Sequence, residues 1–183
     1  MKGVRLIGAV MVGALILSAC SSSTPSSSST TSGSGSSTTT TTTPPTAGSG
    51  TGGAALSTVW PSCCAANLIA IGTTAQAVGN DVTQIGKNGG NGSTAQLVKD
   101  LGTFSSAVSA GAQASSTAVG QVSNPALTRY NTALSGLHTA VSHAVSACST
   151  ASNSCLNDIQ TIDTKLSAVN TAATQLNTQI GAS

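Results

Sequence analysis

Five cysteines, two histidines and four aspartates are the residues of this 183-residue chain best equipped for chemistry, and there is no glutamate. Such side chains hold metals, move protons or exchange disulfides, provided the spacing brings them together. Di-iron sites in helix bundles use glutamates and Glu-x-x-His pairs, which this chain lacks. His138 and His143 are five residues apart. At 100° per residue that turns them about 140° from each other on a helix, so they cannot share a metal. They read as two solvated histidines. Asp158 and Asp163 have the same spacing and no partner for acid/base work. Serines and threonines abound, but no Gly-x-Ser-x-Gly elbow exposes a nucleophile. Gly89-Gly90-Asn91-Gly92 lacks the Lys-Ser/Thr of a phosphate loop and reads as a turn. Adjacent Cys63 and Cys64 do not have zinc-finger spacing, and no Cys-x-x-Cys-His marks a haem attachment. Trp60, beside Pro61, reads as the lid of a helix-bundle end rather than as a contact residue. The expectation is no enzyme, no cofactor and no metal.

These residues sit on elements whose periodicity is helical from about residue 54 onward, with no sustained strand-like alternation. A first helix over about 62–88 opens after Pro61 and closes at Lys87-Asn88-Gly89, with a basic last turn and a glycine stop. A second, to about Val122, starts at a capping-box pair, Ser93 and Gln96. A third runs to about Cys148, with Asn124 as cap and Pro125 at its first position. A fourth spans about 155–180. Apolar residues recur in steps of seven: Cys64, Ile71, Val78, Ile85; Leu101, Val108, Ser115, Val122; Leu127, Leu134, Val141, Cys148; Ile159, Leu166, Ala173, Ile180. A parallel series accompanies each, such as Tyr130, Leu137, Ala144 and Cys155, Ile162, Val169, Leu176. Four segments of similar length, each with one seam and joined by short loops, predict an all-α, antiparallel up-down four-helix bundle. Gly72, Gly79 and Gly86 beside the first seam suit close helix approach or merely follow composition. The stretch 105–118 has almost no large side chain. Either the helices close tightly there, or the bundle is hollow.

The seams place the cysteines. Cys148 ends one series and Cys155 begins another across the short stretch "CSTASNSC". A Cys148–Cys155 disulfide is therefore expected to staple the third and fourth helices. In an up-down bundle Cys63 and Cys64 start the first helix at the opposite end. A helix of about 26 residues is about 39 Å long, and a disulfide needs Cα atoms within about 7 Å. What remains for Cys63 and Cys64 is a vicinal bridge, an intermolecular bond or free thiols. A bond between the two pairs would require the second helix to break, most readily near Gly111.

The N-terminus explains Cys20. Lys2 and Arg5 precede an apolar run of twelve residues, 6–17. That is short of the ~20 needed to span a bilayer and suits the core of a signal peptide. It ends in Leu17-Ser18-Ala19-Cys20, which resembles the lipobox of bacterial lipoproteins. In that family the cysteine is acylated and cleavage occurs just before it. The resemblance implies a signal peptide over 1–19, Cys20 as the lipidated mature N-terminus and an anchor on the outer face of the cytoplasmic membrane. Several acyl chains anchor far better than one. Residues 20–53 are then a lipidated cysteine and a Ser/Thr/Gly/Pro tether with nothing to bury, expected to stay disordered. As a coil it spans roughly 30 Å, and about 100 Å stretched. Thr38 to Thr43 with Pro44-Pro45 resembles O-glycosylated stalks. Residues 54–183 form the bundle.

Loss of Lys2 and Arg5 with the signal leaves four cations against four aspartates, a net charge of zero. Nucleic acid is thereby excluded as a partner. The expected function is a membrane-anchored surface lipoprotein, a non-catalytic structural or protein-interaction module whose partner is an envelope protein or the cell wall. The alternative is a carrier holding an apolar small molecule or lipid around residues 105–118. Oligomeric state stays open.

Overall fold

Steps of four residues, not seven, control the start of the fold. Leu56, Trp60, Cys64 and Leu68 are all buried, and from first to last they span twelve residue steps where three ideal turns take about eleven. One residue is in excess, and a wider turn must absorb it. The structure, a computed structural model describing residues 52–88 and 94–181, has such a turn. Helix α1 (Gly52–Trp60) passes through a π-helical turn, Pro61–Ala65, directly into α2 (Ala66–Lys87). The helix expected to open after Pro61 thus begins earlier. Pro61 stands at the first position of the π-turn, where the helix is already re-registering and the absent N–H is tolerated.

Three further helices follow: α3 (Thr94–Gln121), α4 (Pro125–Ser149) and α5 (Cys155–Gly181). Among the described residues there is no strand. Helix α2 packs on α3, α3 on α4, and α4 most extensively on α5, while α1 touches α5. Beyond α1, the buried positions follow the heptad series, with additions at Gly111, Ala118, Ala126, Ala140 and Ala172. On α2 burial fades along the chain: Leu68, Ile71 and Val78 are buried, whereas Val82 and Ile85 are half-buried. The run Ala55–Lys87 meets the length and composition of a membrane-crossing helix, a test that core helices also pass.

Local chemistry fixes the helix ends. The Asn124 side chain accepts hydrogen bonds from the N–H groups of Ala126 (2.8 Å) and Leu127 (3.1 Å), capping α4 with Pro125 at its first position. Gln96 Nε2 donates to Asp100 Oδ1 at 3.0 Å, the neighbour one turn along the same face. Ser93 lies outside the described residues. After α4, Ser152 N–H donates to the Ala147 carbonyl and Ala151 N–H to that of Cys148, the paired bonds of a Schellman stop. Ala151 is left-handed there, at φ 50°. On the outer faces, threonine after threonine donates Oγ1 to the carbonyl one turn back, as at Thr73, Thr83, Thr132 and Thr174.

Candidate functional site

The chemistry-bearing side chains fall at three places. The first is the π-turn. In an α-helix, consecutive side chains diverge by about 100°. Within Pro61–Ala65 the neighbouring Cys63 and Cys64 are joined in a vicinal disulfide. Cys64 is 1% exposed and part of the core; Cys63 is half-buried. One turn earlier, the Trp60 ring meets Tyr130 edge-on at 5.0 Å between centroids. Both rings are buried. Edge-to-face aromatic pairs add about 1 kcal/mol beyond the area that they bury. Burial pushes the Tyr130 phenol well above its usual range, and its hydroxyl finds no hydrogen-bond partner among the described residues. Trp60 is thus a core residue, with buried Leu56 one turn further out on α1.

The second place is the α4–α5 turn. Cys148 and Cys155 are joined there, Cα–Cα 4.7 Å. Together with the vicinal pair, this accounts for all four cysteines of the described residues. Closing so short a loop contributes about 2–3 kcal/mol in the chain-entropy view. Neither disulfide leaves a free thiolate to act as nucleophile.

The third place joins α2 and α3. Asp81 is held above the usual carboxylate range, first by burial and then by the proton-sharing and charge of Asp100 on α3. No sequence spacing announces this pair, because its members are 19 positions apart on different helices. Among the described residues, no group of three or more His, Cys, Asp or Glu gathers. His138 is half-buried and His143 exposed on α4; Asp158 sits in the first turn of α5 and Asp163 on its exposed side. Cys20, Thr38–Thr43 and Gly89–Gly92 lie outside the described residues.

Two features bear on ligand binding. The small-residue stretch of α3 closes tightly at Gly111. A Cβ there would lie 3.0 Å from Ile71 Cδ1, 3.6 Å from Asn67 Cβ and 3.9 Å from Leu134 Cδ1. An open groove of about 600 Å³ lies between α4 and α5, lined by Thr128, Arg129, Thr132, Thr164, Ser167 and Thr171, among others. The hydroxyls of Thr128, Thr132, Thr164 and Thr171 donate to their own helix backbones. The four threonines therefore turn methyl groups and acceptor lone pairs to the groove, while Arg129, Ser167 and Gln175 supply its donors.

No protein-family model, curated protein or solved structure matches this chain.

Proposed function

We propose that the chain is a bacterial lipoprotein, anchored through Cys20 to the outer face of the cytoplasmic membrane, which displays a non-catalytic structural or protein-interaction module on a Ser/Thr-rich tether. The observation that carries this reading is Leu17-Ser18-Ala19-Cys20, placed after a twelve-residue apolar run and before 33 residues with nothing to bury. Acylation at that cysteine supplies the anchor that the short apolar run cannot.

The module itself is an antiparallel up-and-down bundle in this proposal. Three pairings support the arrangement: Gly111 with Ile71, Gly111 with Leu134, and Gly136 with Lys165. Gly111 with Leu134 and Gly136 with Lys165 link the middles of chain-adjacent helices, while Ile71 lies in the second turn of α2. The connections are short, residues 122–124 and 150–154. Against the carrier alternative stands the close fit at Gly111, within the stretch 105–118 where a hollow was one of two outcomes. The two disulfides suit the module to holding shape and offering surface.

Intact mass of the protein extracted from its own membrane in detergent, before and after reduction, tests the anchor. A diacylglyceryl addition at Cys20, abolished together with membrane association in Cys20→Ser, is the expected result. An unlipidated mature chain overturns the proposal. An apolar molecule travelling with the bundle selects the carrier instead.

A further inference from the structure

We propose that the Cys63–Cys64 bond is a redox latch that fixes the register of α1 against the rest of the bundle. The bond joins neighbouring residues whose side chains an ordinary α-helix turns about 100° apart. It coincides with the one π-turn among the described residues, Pro61–Ala65. Beyond that turn, α1 carries Leu56 and Trp60 into the core, Trp60 against Tyr130, and α1 touches α5. While the bond is closed, the five-residue turn has one geometry. Once it opens, the wider turn is held only by its apolar spacing and by Pro61, which a tighter α-helical turn would place in a helix interior. Removing the extra residue of a π-turn rotates α1 by about 100° and shifts it by about 1.5 Å, carrying Leu56 and Trp60 off the end of the core. The apolar steps of four favour the buried register in both redox states; the closed bond adds to that preference, and opening it lets the second register be populated.

The reductant is a dithiol. Its first thiolate attacks Sγ of the half-buried Cys63, the more accessible sulfur; the S–S bond breaks, and its electron pair leaves on Cys64 Sγ, which takes a proton. The second thiolate attacks the mixed disulfide, releasing Cys63 as a thiol and leaving the dithiol as a disulfide. Two electrons and two protons pass to the cysteine pair. The Trp60 carbonyl oxygen lies 3.7 Å from Cys63 Sγ, an acceptor ready for the new thiol. Cys148–Cys155, at the α4–α5 turn, lies outside this hinge. The latch is independent of the lipid-anchor reading.

The test uses the full chain carrying Cys148→Ser and Cys155→Ser, so that dithiothreitol acts on one disulfide. N-ethylmaleimide traps the thiols, peptide mapping locates them, and emission from the single tryptophan reports the register. Two adducts in the Cys63–Cys64 peptide with emission moved to longer wavelength, reversed on reoxidation, are expected. Cys63→Ser with Cys64→Ser should show that emission without reductant. Adducts with unchanged emission overturn the latch, as does a bond that the dithiol cannot open while the chain is folded. If the first variant does not fold, the wild-type chain under dithiothreitol is compared with the Cys63→Ser, Cys64→Ser variant. Identical tryptophan emission in the oxidised wild type and that variant then overturns the proposal.

Discussion

Ser115 stands in the series Leu101, Val108, Ser115, Val122, fully enclosed, and its Oγ finds no hydrogen-bond partner among the described residues. An unpaired buried hydroxyl costs about 1–3 kcal/mol, and alanine fills nearly the same space. Ser115→Ala should therefore raise stability by about 1 kcal/mol, read as a higher urea midpoint at unchanged slope. Ala151 is the second local misfit. Its left-handed backbone is the place that glycine takes in a Schellman stop. Ala151→Gly should gain up to about 1 kcal/mol, checked by thermal melting with the neighbouring disulfide intact. Residue by residue, the sequence was uneven as a guide. The step of seven located Ser115, and the Asn124-Pro125 pair announced a cap. Nothing in "CSTASNSC", which has no glycine, signalled a left-handed alanine.

At the level of elements, α3 holds two glycines with opposite surroundings. A methyl group at Gly102 would meet nothing within 4 Å, whereas one at Gly111 would lie 3.0 Å from Cδ1 of Ile71, itself fully enclosed. Gly102→Ala should stabilise by about 1 kcal/mol through helix propensity. In Gly111→Ala that gain should be cancelled or reversed by about 1–3 kcal/mol of overpacking. Melting temperatures of the two variants measured side by side check the difference. Three of the helices were legible because their seams keep heptad spacing from end to end. The first was misread at its start because Pro61 looks like a helix opening. The steps of four through Leu56, Trp60, Cys64 and Leu68 held the information, but a proline inside them suggested a boundary rather than a π-turn. The small-residue stretch of α3 left two outcomes open, and only packing distances distinguish a tight crossing from a hollow.

For the molecule as a whole, the groups that titrate between folded and unfolded states are few. Asp81 binds its proton more tightly in the folded chain than its ordinary value of 3.8, chiefly because of burial, then Asp100. The charges that accompany the pair nearby in sequence are Lys87 on α2 and Lys99 on α3. A raised carboxyl pKa favours the folded state at low pH. That contribution is whole below 3.8 and is lost as pH rises through the raised value. Asp81→Asn should raise the melting temperature at neutral pH and leave it little changed in acid. A pH series of thermal melts on both proteins reads this directly. The pair escaped sequence reasoning because it depends on how α2 and α3 are registered, not on spacing within either. The same chain wears few ions, while its outer threonines turn their O–H groups inward onto carbonyls. Facing outward are methyls and lone pairs, which bind water without repelling a neighbour. Solubility then rests on hydration rather than on charge repulsion. Strongly hydrated anions such as sulfate, which compete for that water, should set the concentration at which copies begin to crowd together.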